Sequence, residues 1–306
     1  MSFCKPIGVL FFLTMLSLSG MAHALEVKVM NYNIRYGSAD DGDNSWTNRS
    51  ALLIAQLKEQ APQVIGMEEA LRFQIDEIRK ALPYYGEVGI GRDGGEEGEY
   101  SCILYDTRRF TLTDSGTFWL SETPEKRSQD WDSACVRICT WALLKDKETG
   151  EAFYHFNTHL DYRSAKARLN GVHLIAKRIA ERKTNAPFVL TGDFNAAENS
   201  PPVKWLKGEA EEQPPVVMVD TFRVLHPDEK TVGTFNRFKG DKSGAKIDYI
   251  LTSEETTVLD AGIDFSMPDG RCISDHYPVT ATIRFKTVAP PFTSTKRCSS
   301  ISLPAA

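Results

Sequence analysis

Residues 188–197 read Phe-Val-Leu-Thr-Gly-Asp-Phe-Asn-Ala-Ala, and this stretch limits the fold more than any other. Phe188, Val189 and Leu190 form an apolar run suited to a buried strand. Gly192 breaks the run, and Asp193 and Asn195 follow with one residue between them. Side chains alternate across a strand, so an extended backbone would aim this carboxylate and carboxamide the same way. One can accept a proton while the other donates a hydrogen bond. An Asx-type turn closing the strand accounts for the same residues without chemistry, and the rest of the chain has to decide.

Period-two alternation predicts strands at Glu26–Ile34, Tyr100–Asp106, Phe110–Trp119, Val136–Lys145, Ala152–Thr158, Gly233–Phe238, Ile247–Leu251 and Val279–Phe285, with a short buried strand at Val64–Met67. Helical spacing predicts Arg49–Gln60, Phe73–Leu82 and Ser164–Lys183. In the second of these, Phe73, Ile75, Ile78 and Leu82 form the expected inner face. Gly86–Glu99 reads as a Gly- and Glu-rich loop, Ser121–Ser133 as a polar loop and Glu209–Pro215 as a surface loop. No 20–50-residue repeat is visible and no linker divides residues 25–286, so one α+β domain is the economical reading.

The ends of the chain differ from that domain. Lys5, the apolar run Ile7–Leu18 and Ala22-His23-Ala24 read as a cleaved secretory signal over residues 1–24, the run being too short for a comfortable membrane span. Residues 287–306, rich in Pro, Ser and Thr, read as a disordered tail. A secreted or periplasmic location is therefore expected. Cutting after Ala24 removes one lysine and no acid, taking the net charge from −5 to −6. Such a surface does not suit a protein that wraps a polyanion, although a local basic groove stays open. Five cysteines would remain, Cys102, Cys135, Cys139, Cys272 and Cys298, in no zinc spacing. The sequence chooses no disulfide among them.

The polar residues at the predicted strand ends are Asn33, Glu69, Glu99, His159, Asp161, Asp193, Asn195, Asp248, Asp275 and His276. Nearly all are acid, carboxamide or imidazole, an inventory for hard cations and general bases. They fall in six ordered segments: Asn31-Tyr32-Asn33-Ile34-Arg35, Ile65-Gly66-Met67-Glu68-Glu69-Ala70, Asn157-Thr158-His159-Leu160-Asp161, Thr191-Gly192-Asp193-Phe194-Asn195, Lys246-Ile247-Asp248-Tyr249-Ile250 and Ser274-Asp275-His276-Tyr277-Pro278. With these segments in this order, the chain resembles the endonuclease/exonuclease/phosphatase superfamily from about Val27 to Phe285.

The resemblance implies a four-layer α/β sandwich, two mainly antiparallel sheets packed face to face with helices outside. It implies hydrolysis of a phosphodiester or phosphomonoester dependent on a divalent metal, Mg2+ with Mn2+ or Ca2+ as alternatives. Glu69 would be the main metal ligand, with Asn33 beside it and Asp275 at the edge. Asp193 would orient or deprotonate the attacking water, and Asn195 would hold a phosphate oxygen. His276 would donate to the phosphate with its ring fixed by Asp248, and His159 would contact the phosphate from the other side, oriented by Glu99. Glu68 stands where many members of the family have Gln, which puts the register of the metal ligand in question. Arg35 stands where apurinic endonucleases have Asp, so a second metal carboxylate is absent there.

Other residues have two readings at this point. Arg137 suits bidentate phosphate contact or an inter-strand ion pair. Trp46, Trp119 and Trp131 suit a substrate wall or the core. The substrate is a phosphorylated sugar, inositol or lipid head group, or a nucleic acid. A monomer with no protein partner is expected, and a non-catalytic binding module on the same fold is the alternative to an enzyme.

Overall fold

The computed structural model describes residues 24–286. The expected signal at 1–24, apart from Ala24, and the expected tail at 287–306 lie outside the described residues.

Twelve strands are named in chain order: β1 Glu26–Asn33, β2 Val64–Ala70, β3 Tyr85–Val88, β4 Tyr100–Asp106, β5 Phe110–Trp119, β6 Ile138–Asp146, β7 Ala152–His159, β8 Phe188–Asp193, β9 Met218–Asp220, β10 Asp248–Ser253, β11 Thr257–Ile263 and β12 Val279–Arg284. The helices are α1 Trp46–Gln60, α2 Arg72–Ala81, α3 Ala165–Ala180, α4 Pro201–Leu206 and α5 Thr221–Leu225. The strands form two six-stranded sheets, ordered β11-β12-β1-β2-β4-β3 and β5-β6-β7-β8-β10-β9. Each sheet holds one parallel pair, β1 with β2 and β7 with β8. Each parallel pair needs a crossover, and α1 and α3 supply them.

Alternation along the strands builds the layers. On β1, Val27 and Val29 point between the sheets, where they meet Ala142, Leu144, Phe153, Val189 and Ile250. Met30 and Tyr32 point outward and pack with Leu53 and Leu57 of α1 and with Ile75 and Ile78 of α2. On the other flank, Tyr154, Phe156, Phe188 and Leu190 pack against Val172, Ile175 and Ile179 of α3 and Val203 of α4. The result is four layers, helix, sheet, sheet and helix.

The layer between the sheets changes character along its length. Its apolar end gives way to Asn31, His155, Asn157 and Thr191, all fully buried. Asn157 Nδ2 reaches across the gap to the carbonyls of Cys102 and Met67, at 2.9 and 3.3 Å. Thr191 Oγ1 donates to Asn157 Oδ1 at 2.8 Å. Gly66 is required opposite them, because a Cβ there would lie 2.0 Å from Thr191 Oγ1.

Several expectations are corrected. Gly86–Val88 is part of β3, paired to β4 at the sheet edge, where its polar residues tolerate solvent. Phe73 is 46% exposed, and the buried position beside it is Gln74. The segment Gly233–Phe238 is not a strand. Its one bridge is Phe235 with His276, and Arg237 and Phe238 both take φ of 57°, a turn conformation incompatible with an extended ladder. Disulfides, which the sequence left open, are absent among the described residues, where Cys102, Cys135, Cys139 and Cys272 are free thiols.

Candidate active site

The site forms where the parallel pairs of both sheets end. β1 delivers Asn33, β7 delivers His159 and β8 delivers Asp193. β10 begins at Asp248, whose register places it directly opposite Asp193, while His159 is the neighbour of Asp193 on the other side. A β-bulge between Glu68 and Ala70 inserts Glu69 at φ 58°. The inserted residue turns toward solvent. Glu69 thus lines the cavity, whereas Glu68 stays fully buried between the sheets. Neither carboxyl oxygen of Glu68 has a hydrogen-bond partner. Burial, and then the charges of Asp248 and Asp193, push its carboxyl well above the usual range.

Asp193 is the hub. Its Oδ1 accepts the backbone N–H of Asn195 at 2.9 Å, and its Oδ2 accepts Asn33 Nδ2 at 3.0 Å. The Nε2 atoms of His159 and His276 lie 3.5 and 3.7 Å from Oδ2. His276 Nδ1 lies 2.9 Å from Asp248 Oδ2, and Asn195 Nδ2 lies 2.9 Å from His159 Nε2. Burial and the charge of Asp248 push Asp193 up to about 7, with His276 opposing. Burial pulls His276 down, but the charges of Asp248 and Asp193 and the hydrogen bond it donates to Asp248 outweigh it, so the imidazolium is favoured. His159 is held well below its ordinary value by burial and by the cation of Arg137.

Loops around this hub are fixed by buried polar groups that periodicity does not reveal. Arg49 of α1, 1% exposed, donates to the carbonyls of Ile34, Arg35, Asn44 and Ile273. Gln74 of α2 accepts from Gly37 N and donates to Arg35 O. The turn at residues 233–238 acts as a bracket. Asn236 N donates to Asp275 O at 2.7 Å, Tyr277 N donates to Thr234 O at 2.7 Å, and Thr234 Oγ1 accepts Ile247 N at 3.0 Å. That bracket ties the loop of His276 to the strand of Asp248.

A cavity of about 630 Å3 opens over the hub. It brings together Glu69, Glu99, Arg137, His159, Asp193, Asn195, Asp275 and His276 of the expected residues, and adds Arg35, Tyr36, Arg92, Cys135, Tyr162 and Phe235. Trp46, Trp119 and Trp131 do not line it. Glu99 does not orient His159: its Oε2 accepts Arg92 Nη1 at 2.8 Å, and His159 Nδ1 has no partner. Arg92 lies within the Gly- and Glu-rich loop, and nothing in the spacing of Arg92 and Glu99 announces the pair. Asn33 presents its amide nitrogen to Glu69 and Asp193 while its Oδ1 accepts Arg35 N at 2.9 Å. It bridges two carboxylates rather than offering an oxygen.

The donors suit a hard divalent cation. Ligand atoms of Glu69, His159 and Asp193 lie within 4.8 Å of one another, as do those of Asp193, Asp248 and His276. Asp275 falls in neither group, although it shares the cavity wall.

The Endonuclease/Exonuclease/phosphatase family profile matches residues 30–276, from the strand that delivers Asn33 to His276. The chain belongs to the endonuclease/exonuclease/phosphatase family. Its members hydrolyse phosphoesters and generally depend on a divalent metal. A family protein from Bacteroides thetaiotaomicron is 31% identical, with a TM-score of 0.78 over 86% of this chain and 96% of that one. A mannosyl-6-phosphatase from the same organism is also 31% identical, with a TM-score of 0.76 over 85% of this chain and all of that one. Protein angel of Drosophila melanogaster is 24% identical over 268 residues, 78% of this chain and 72% of the relative.

Proposed function

We propose that this family member is a secreted, divalent-metal-dependent phosphoesterase acting on a small phosphorylated molecule, with a sugar phosphate as the best-supported class. The observation that carries the reading is the convergence of Asp193, Asn195, His159, His276 and Glu69 on one cavity. The 31% identity to a mannosyl-6-phosphatase favours the sugar phosphate. Nucleic acid is disfavoured by the net charge of −5 and by the engagement of Arg35 and Arg92 with carboxylates on the cavity wall.

In this reading Glu69 would hold the metal with Asp275 at its edge, while Asn33, whose amide nitrogen bonds both Glu69 and Asp193, fixes the two carboxylates rather than binding the ion. The bound cation supplies charge neutralisation on the phosphate oxygens. Asp193, poised near neutrality, accepts a proton from the attacking water. His276, kept cationic by Asp248, donates to a non-bridging oxygen, and Asn195 donates to another. As the water oxygen bonds to phosphorus, the bond to the departing oxygen breaks, that oxygen takes up a proton from solvent, and Asp193 gives the proton it accepted back to solvent. One water is consumed, and one alcohol and one phosphate are released. The chain acts as a monomer, and its leader directs it out of the cytoplasm.

A screen of purified protein for phosphate release from sugar phosphates, and for nuclease activity, with and without chelator, tests this. Chelator-sensitive phosphate release is expected. Nuclease activity without phosphatase activity would reverse the substrate assignment, and no turnover on either would return the binding-module reading.

A further inference from the structure

Three arginines line the cavity, and two of them are engaged. Arg35 grips Asp41 through Nε and Nη2 at 2.9 and 2.8 Å. Arg92 grips Glu99 at 2.8 Å and faces Cys135 Sγ at 3.6 Å. Arg137 differs. It is 7% exposed, and its Nε has no hydrogen-bond partner. The nearest carboxylate oxygen, Asp161 Oδ2, is 3.9 Å away, beyond hydrogen-bond reach. Asp161 is already occupied: it accepts Ala134 N at 2.8 Å, Arg163 N at 3.0 Å and Ser164 N at 2.7 Å. A buried guanidinium without a bonded anion is costly, and a fold keeps one where a ligand completes it.

The guanidinium is a planar fork that matches two oxygens of a phosphate. A phosphomonoester carries three non-bridging oxygens and two charges, whereas a diester carries two and one. Asn195 and His276 share the cavity and account for two oxygens in the mechanism above. We propose that Arg137 holds the third, terminal oxygen of a phosphomonoester dianion and thereby selects terminal phosphates over diesters. This inference rests on the phosphoesterase reading of the site.

The test compares wild type, Arg137→Met and Arg137→Lys on para-nitrophenyl phosphate and on bis(para-nitrophenyl) phosphate, with magnesium. Arg137→Met should lower kcat/KM for the monoester by about 100-fold, the loss of two hydrogen bonds to a charged group, and lower it for the diester by a much smaller factor. Arg137→Lys keeps the charge without the fork and should show a smaller loss of the same sign, which covers the case in which the Met variant does not fold. Inorganic phosphate should raise the Tm of wild type and not of Arg137→Met. Equal losses on both esters, or no loss on either, would overturn the selection. A wild type inactive on both esters would instead remove the phosphoesterase reading, and this inference with it.

Discussion

The layer between the two sheets has an apolar end and a polar end, and the same strands build both. β1 runs Val27, Val29, Asn31, Asn33 on its inner face, β7 runs Phe153, His155, Asn157, His159, and β8 runs Val189, Thr191, Asp193. At the apolar end nothing but shape and area holds the sheets together. At the polar end hydrogen bonds between strands and across the gap position the buried groups, as the carbonyls of Met67 and Cys102 position Asn157, although both oxygens of Glu68 are left without a partner. The first end sets stability, and the second sets where Asp193 and its neighbours stand. The comparison predicts that substitutions at the two ends fail in different ways.

The largest effect belongs to the polar end. His276→Ala and Asp248→Asn should each lower kcat by about 10²–10⁴ with little change in Tm, because the pair stands 2.9 Å apart and acts as a unit. The double variant should be little worse than His276→Ala. Losses that multiply in the cycle would show that the two act separately. At the apolar end the order reverses. Phe153→Ala should cost about 3–5 kcal/mol of unfolding free energy, measured by urea titration, with kcat of the folded fraction unchanged. A kcat that falls in step with stability would blur the distinction between the ends.

The edge of the site should give a smaller, different signature. Glu69→Gln should raise the magnesium concentration at half-maximal activity by at least about the 10–100-fold that outer-shell partners contribute. Recovery at high metal would mark a ligand. If Glu69→Gln leaves the metal dependence intact and Glu68→Gln shifts it, the assignment across the bulge is reversed.

The last effect vanishes at neutral pH and sharpens the boundary between the ends. His155 is fully buried beside Thr191 Oγ1 at 2.8 Å, its Nδ1 has no partner, and burial holds it down to about 3. Its folded value lies below its ordinary one, so the unfolded chain takes up a proton first as pH falls. His155 therefore leaves stability intact above about pH 6.5 and removes up to about 1.4 kcal/mol per pH unit below it, until the folded state protonates. His155→Gln should flatten that part of the stability profile between about pH 6 and 4. An unchanged slope would assign acid sensitivity to other groups.

Much of the fold was legible because burial leaves a period. The strands Tyr100–Asp106 and Phe110–Trp119 match their predicted bounds, since both faces of one and the ladder of the other are packed along their length. The nearness of Asp193 and Asn195 was legible, but their relation was not. Asn195 takes φ of 47°, so the two residues close a turn onto each other through the Asn195 N–H rather than continue side by side along a strand. The turn reading of that stretch is what the backbone adopts, and the catalytic role proposed for Asp193 requires no extended strand. Phe73 misled because hydrophobicity alone cannot show that Gln74, with three backbone partners on two loops, holds the buried position.

The alternation of the strands and the residue types at their ends could be read from the order of residues, because these depend on local spacing and on the chemistry of each side chain, whereas the parallel pairs β1 with β2 and β7 with β8 came from the fold. The folded arrangement settles that Glu69 rather than Glu68 faces the cavity, that Arg92 takes Glu99 away from His159, and that Arg137 remains without a hydrogen-bonded anion. These depend on a bulge, on loop paths and on competition among charges that lie 7 to 45 residues apart in the chain, as Arg92 does from Glu99 and from Arg137. Electrostatic pairing is settled by distance through space and by burial, and neither is written in the order of the residues.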